Sequence, residues 1–260
     1  MILGVDIGNS DVTIGFWDGT WSHKLRIPSH PSKPELFYGI QMRDFVNHNS
    51  LSITAVKSIT VSSVVPDLTP IVKNALQALF SIEPVMMSPG LYKNLPLEIL
   101  NPYEIGSDLV ANAIATYYKY RETCIVVDFG TALTFTTVSG EGKILGVSIV
   151  PGLRTAIKSL SQNTAKLFDV ELVMPKSALG QNTITAIQSG IIIGYEGLVR
   201  NVVDSIRKEL RHPHPAIATG GLSFVITSLK DYFKIVDPNI TLDGIRIFGE
   251  VVNQSRNSIN

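Results

Sequence analysis

One short pattern occurs twice in this chain, and the repeat constrains the fold more than any other feature. Val5-Asp6-Ile7-Gly8-Asn9-Ser10 returns 122 positions later as Val127-Asp128-Phe129-Gly130-Thr131-Ala132. Each copy ends an apolar run in a carboxylate, a glycine and small hydroxyl or amide residues. Each then leads into a β-rich stretch, Val12-Thr13-Ile14-Gly15-Phe16 or Thr134-Phe135-Thr136-Thr137-Val138. Glycine removes the Cβ that would hold the backbone away from phosphate oxygens, and a carboxylate at the end of a strand can hold a hydrated cation. Asn9, Ser10 and Thr131 add side-chain donors to those of the loop N–H groups. Two copies in near-equal halves predict a duplicated architecture, with one phosphate hairpin on each wall of a cleft.

The 260 residues suffice for one large or two modest domains. A hydrophobic content of 45% and a charged content of 17% describe a well-packed globular protein. With 22 basic and 22 acidic residues and no Lys/Arg run, nucleic acid is not an expected partner. Met1-Ile2-Leu3-Gly4-Val5 enters a strand directly, without the basic region or cleavage site of a signal peptide. The apolar run at Ile191-Ile192-Ile193 is broken by Gly190 and Gly194 and is too short to span a bilayer. The expectation is therefore a cytoplasmic protein with no membrane partner. Cys124, the only cysteine, cannot form an internal disulfide and reads as a buried, inert thiol, and the five histidines lack zinc spacing.

Period and punctuation predict strands over 2–7, 12–17 and 22–26, with Asp18-Gly19 as a hairpin turn. A helix over 35–47, a strand over 59–65, a helix after Pro66 and Pro70 and a strand over 84–87 follow. After a helix over 104–119 the pattern restarts with strands over 124–128, 134–139 and 143–150. Helices over 152–160, 184–193 and 197–210 and a strand over 216–218 complete it. This order indicates an α/β protein with mixed sheets and a division near residue 115, giving domains 1–115 and 116–260. Apolar residues over 184–198 fit either a core helix or an interface.

Two further segments can carry chemistry. Gly106-Ser107-Asp108 opens a helix and reads either as a cap favoured by the helix dipole or as a base directed at a substrate hydroxyl. Thr219-Gly220-Gly221 follows a strand and reads either as a tight turn or as a close approach to a nucleotide. Together with the two hairpins they supply what phosphoryl transfer needs: carboxylates for a metal, small donors for phosphates and a candidate base. No G-x-x-x-x-G-K-[ST] segment is present, which excludes a P-loop kinase.

The hairpins and the Thr-Gly-Gly resemble the superfamily of acetate and sugar kinases, heat-shock chaperones and actin. Within it, the order of motifs is similar to type III pantothenate kinase. The motifs are Asp6-Ile7-Gly8-Asn9-Ser10, Gly106-Ser107-Asp108, Asp128-Phe129-Gly130-Thr131-Ala132, Ile149-Val150-Pro151-Gly152-Leu153, Gly180-Gln181-Asn182-Thr183, Ala218-Thr219-Gly220-Gly221 and Thr241-Leu242-Asp243-Gly244-Ile245. The resemblance implies two duplicated actin-like (ribonuclease H-like) domains, each a mixed five-stranded sheet with flanking helices, and an ATP cleft between them. It implies ATP-dependent phosphorylation of pantothenate to 4'-phosphopantothenate, the first step of coenzyme A biosynthesis. Asp6, Gly8, Asn9, Ser10, Thr13, Thr131, Gly220 and Gly221 would then bind ATP. Asp108 would be the catalytic base, and Gly106, Ser107, Asp108, Leu109 and Thr183 would line the pantothenate site. Asp128 would hold a monovalent cation, potassium or ammonium, and Asp6 would lie near magnesium. A homodimer is also implied. The chain departs from the family at Leu109, where an arginine is usual, and at Ser10, Gly146-Val147-Ser148 and Ile99. Leu109 cannot pair with the pantothenate carboxylate, so a nucleotide-binding, non-catalytic homologue and a same-fold kinase for another small hydroxylated acceptor are the alternatives.

Overall fold

The computed structural model describes residues 1–257. Strand β1 (Ile2–Ile7) alternates, so that Leu3, Val5 and Ile7 are fully buried on one face while Gly4 and Asp6 lie on the other. It pairs antiparallel with β2 (Asp11–Trp17), which pairs antiparallel with β3 (Trp21–Pro28). Helix α1 (Glu35–His48) then leads to β4 (Ser58–Ser63), which runs parallel to β1. Helix α2 (Thr69–Phe80) leads to β5 (Val85–Met86), parallel to β4, and the sheet order is β3-β2-β1-β4-β5. Helices α3 (Pro89–Tyr92) and α4 (Ser107–Tyr120) follow. Helix α4 begins three residues after the predicted start, because a turn closed by Glu104 N–H on the Asn101 carbonyl occupies the approach.

The pattern then repeats. Strands β6 (Cys124–Phe129), β7 (Ala132–Val138) and β8 (Ile144–Pro151) form an antiparallel meander. Helices α5 (Leu153–Asn163) and α6 (Thr183–Glu209) precede β9 (Ala216–Thr219), which is parallel to β6, and β10 (Ile235–Val236), which is parallel to β9. The order β8-β7-β6-β9-β10 reproduces that of the first sheet. The two helices predicted over 184–193 and 197–210 are one helix, α6. Ile192, Tyr195, Val199 and Val203 recur on one buried face, and that burial carries the helix through Gly194 and Gly197 despite their low propensity.

The chain forms two compact units, Tyr120–Asn239 and Met1–Lys119 together with the segment that begins at Ile240. The expected division at 115/116 thus differs in its last segment, which joins the first unit as helix α7 (Ile240–Asn257). The reason lies in side-chain complementarity. One face of the first sheet packs under α1 and α2 through Tyr38, Met42, Val72 and Leu76. Leu242, Ile245 and Phe248 of α7 form a second core with Val110, Ala111 and Ile114 of α4. Gly4 and Gly15 leave the space that the Trp21 ring and Leu242 occupy. Buried Asp243 accepts hydrogen bonds from Trp21 Nε1 (2.8 Å) and Lys119 Nζ (2.5 Å), and Thr241 Oγ1 donates to Asn112 Oδ1 (2.8 Å). The Thr241 to Ile245 motif is therefore a clamp that docks α7.

A glycine-to-alanine change in a helix ordinarily stabilises by about 0.5–1 kcal/mol. At Gly244 the new methyl would overlap the Ala111 carbonyl of α4, and overpacking of about 1–3 kcal/mol dominates. Urea titration is expected to show Gly244→Ala destabilised. Gly39→Ala in α1, where an added Cβ meets no atom within 4 Å, is expected to be neutral or more stable.

Candidate active site

Each unit carries one of the repeated hairpins, and in each the carboxylate sits opposite a threonine. In the first, Asp6 pairs with Thr13 across β1 and β2, and the loop closes with Gly8 N–H donating to the Asp11 carbonyl (3.0 Å). Cross-strand partners share a face, so Asp6 and Thr13 point the same way while Asn9 and Ser10 lie exposed at the tip. Ser29, just past β3, fixes this tip: its hydroxyl donates to the Gly8 carbonyl (2.6 Å) and its N–H to the Ser10 carbonyl (2.9 Å). Sequence reasoning passed over Ser29 because it stands in a proline-bounded loop with no motif around it.

In the second hairpin Asp128 pairs with Thr134 across β6 and β7 and with Thr219 across β6 and β9. The loop is one residue shorter, with Gly130 N–H donating to the Ala132 carbonyl (3.1 Å). Thr131 is exposed, and its carbonyl accepts from Gly152 N–H (2.9 Å) and Thr155 Oγ1 (2.6 Å) at the start of α5. Gly152 has to be glycine, since a Cβ there would strike the Gly130 carbonyl. The Thr219-Gly220-Gly221 turn lies against the same hairpin. Gly220 has φ +89, and a side chain would collide with the Asp128 carboxylate and the Phe129 backbone. Gly221 is exposed beside it.

These surroundings fit the implied cations. Magnesium is usually held by one or two carboxylates with phosphate and water completing its shell. Among the described residues no three His, Cys, Asp or Glu side chains cluster, so Asp6 fits such a shared site and no all-protein cage competes. Beside Asp128, the buried Thr134 hydroxyl has no hydrogen-bond partner among the described residues, an oxygen donor suited to a monovalent cation. Thr134 takes the place of Thr13 only through the strand register, since at the 122-residue spacing of the repeat Thr13 aligns with Phe135.

Asp108 stands in the first turn of α4 within the first unit. Its Oδ1 accepts the Leu109 N–H (2.8 Å), and Gly106 leaves the space this oxygen occupies, so that an added Cβ would displace it. Burial is the main influence on the carboxyl and raises its pKa, against hydrogen bonds from the Leu109 and Asp108 backbone that lower it. Nearby Tyr92 is pushed to about 12, first by burial and then by the Asp108 charge. Leu109 is 7% exposed and packs inward. The Ser107 hydroxyl is engaged with β4, through Ser62 Oγ (2.9 Å) and the Ser63 N–H and carbonyl (both 3.0 Å).

In the second unit, Asn182 caps α6 with a reciprocal bond to Thr185, which sets Thr183 on the first turn. Thr183 lines a cavity of about 540 Å³ with Leu160, Leu167, Gln181 and Ile187. Ile187 and Ile192 face the core, whereas Ile184 and Ile193 are exposed. Cys124 is buried and its thiol rises to about 12, chiefly through burial, which suits the inert role expected of it. Among the described residues, no helix is long and apolar enough to cross a membrane.

The family model for type III pantothenate kinase matches residues 2–205. A type III pantothenate kinase of Geobacillus kaustophilus is 35% identical over 251 residues, covering 96% of this chain and 97% of that one. Another, from Geobacter sulfurreducens, is 34% identical and covers 96% and 98%. Among solved structures, a Baf family protein from Campylobacter jejuni superposes with a TM-score of 0.57 at 20% identity, covering 98% of this chain and 99% of that one. At that identity the likeness concerns the fold, and the two units are duplicated actin-like domains.

The raised pKa of Asp108 has a consequence for stability. Its charged form is disfavoured by the fold, so the penalty is absent below the unfolded carboxylate value of about 3.9, grows as pH rises above that value and is complete above the elevated folded value. Asp108→Asn is expected to melt at a higher temperature than the parent at pH 7 and at the same temperature near pH 3, in thermal melts across that range.

Proposed function

The chain belongs to the type III pantothenate kinase family, and on that premise we propose that it phosphorylates the primary hydroxyl of pantothenate with ATP. The product is 4'-phosphopantothenate, and the reaction is the first step of coenzyme A biosynthesis. The observation that carries this reading is the match along 96% of the chain to relatives of that one name.

Phosphoryl transfer asks the protein mainly for position and charge. Gly8, Asn9, Ser10 and Thr13 donate to the ATP phosphates in the first unit, where Asp6 would hold magnesium. In the second unit Thr131 meets a phosphate, Asp128 with Thr134 would hold potassium or ammonium, and Gly220 and Gly221 admit the nucleoside. The cations, when bound, neutralise phosphate charge. Asp108 takes the proton from the pantothenate hydroxyl as that oxygen bonds to the γ-phosphorus and the bond to the ADP oxygen breaks. Burial moves its pKa toward the working pH, which favours a general base. Gly106 and Leu109 shape the acceptor side and Thr183 contributes from the rim of its cavity. Leu109 leaves the pantothenate carboxylate without a partner at that position. The exposed Ile184 and Ile193 of α6 support a homodimer, and the chain's composition supports a cytoplasmic location.

A coupled assay of ADP release is expected to show turnover with pantothenate and not with a panel of other small hydroxylated acceptors. Turnover with another acceptor alone would reassign the substrate. Asp108→Asn is expected to lower kcat by about 10²–10⁴-fold with ATP binding retained. Replacing potassium by sodium is expected to lower the rate of the parent, and Asp128→Asn to remove that difference between the two ions.

A further inference from the structure

The Ser107 hydroxyl has its hydrogen-bonding capacity filled. A serine hydroxyl donates once and accepts twice. Ser107 Oγ donates to the Ser63 carbonyl (3.0 Å) and accepts the Ser63 N–H (3.0 Å), which leaves its second lone pair for the Ser62 hydroxyl (2.9 Å). With the residue 7% exposed, nothing remains for a substrate. The bonds go to the end of β4, which lies beside the end of β1 where the phosphate hairpin begins. In the parallel pairing of β1 and β4, Asp6 faces Ser62 and Ile7 faces Ser63, strands about 4.8 Å apart, and Val64 N–H bonds to the Ile7 carbonyl (3.1 Å). The same end of β4 is braced from its other side, where Ser63 Oγ meets Thr69 Oγ1 (2.6 Å) at the start of α2.

We propose that Ser107 is a positioning residue that locks the start of α4, and with it Asp108, to the end of β4, beside the end of β1 that carries Asp6 and leads into Gly8. The proposal rests on the assignment of Asp108 as base. Three consecutive residues then set the carboxylate: Ser107 anchors the helix to β4, Gly106 leaves space for Oδ1, and the Leu109 N–H holds that oxygen. Donor hairpin and acceptor base share one rigid element within the first unit. Freeing the helix start lets Asp108 drift from the hydroxyl it deprotonates while the phosphate hairpin stays intact.

Ser107→Ala is expected to lower kcat about 10-fold, since small misplacements of a catalytic group cost one to two orders of magnitude. The dissociation constant of ATP, measured directly, should stay within twofold, at a temperature where circular dichroism shows the variant folded. In an Asp108→Asn background the same change is expected to cost nothing further, because residues acting as a unit are non-additive. Ser62→Ala removes only the donating hydroxyl and is expected to lower kcat about 3-fold, which keeps the test open should Ser107→Ala not fold. A kcat within twofold of the parent in Ser107→Ala, or a loss that multiplies with that of Asp108→Asn, overturns the role of Ser107 alone. Full turnover by Asp108→Asn itself overturns the base assignment, and the positioning role with it.

Discussion

Each half of the protein depends on a central strand that is hydrogen-bonded along both edges at once. Strand β1 is antiparallel to β2 and parallel to β4, and β6 is antiparallel to β7 and parallel to β9. A strand held this way cannot slide, because a shift by one residue would turn Leu3, Val5 and Ile7 out of the core. The carboxylate near its end inherits that rigidity. Asp6 and Asp128 each stand where antiparallel pairing gives way to a tight glycine loop, and each faces a threonine on the returning strand.

The two copies have diverged in what surrounds them. The first hairpin is braced at its tip by Ser29, and beside it the end of β4 is tied by hydroxyl contacts to the helix that carries Asp108. The second is braced by the start of α5 at Thr131 and closed over by the Gly220 turn. One hairpin therefore stands beside the helix of Asp108, and the other places Asp128 opposite the buried Thr134 hydroxyl. A duplicated scaffold thus carries two non-equivalent surroundings, built by side chains outside the duplicated motif.

The return of the chain as α7 gives the first unit its second layer. The contacts combine large residues with small ones: Trp21 and Leu242 over Gly4 and Gly15, Gly244 against Ala111, Gly249 against Thr60. A buried carboxylate, Asp243, bonds to both Trp21 and Lys119, so the dock is specific as well as apolar. Because α4 lies in this layer beside α7, the packing that completes the fold also supports the helix that presents Asp108.

Much of this was legible in the chain itself. Period-two strands, a repeated Asp-x-Gly loop and the order of elements determine two mixed sheets with a glycine hairpin on each, because alternation and glycine placement are local properties. Asp6, Asp128, Asp108 and the Thr-Gly-Gly turn could be named for the same reason. Thr134 could not, because the shorter second loop offsets the copies and sets Phe135 against Thr13. The tertiary structure alone decided that α6 runs unbroken through its glycines, that the last helix belongs with the first unit, and that the Ser107 hydroxyl faces β4. Burial, side-chain complementarity and hydrogen-bond saturation settle these, and all three depend on which residues meet across long separations in the chain.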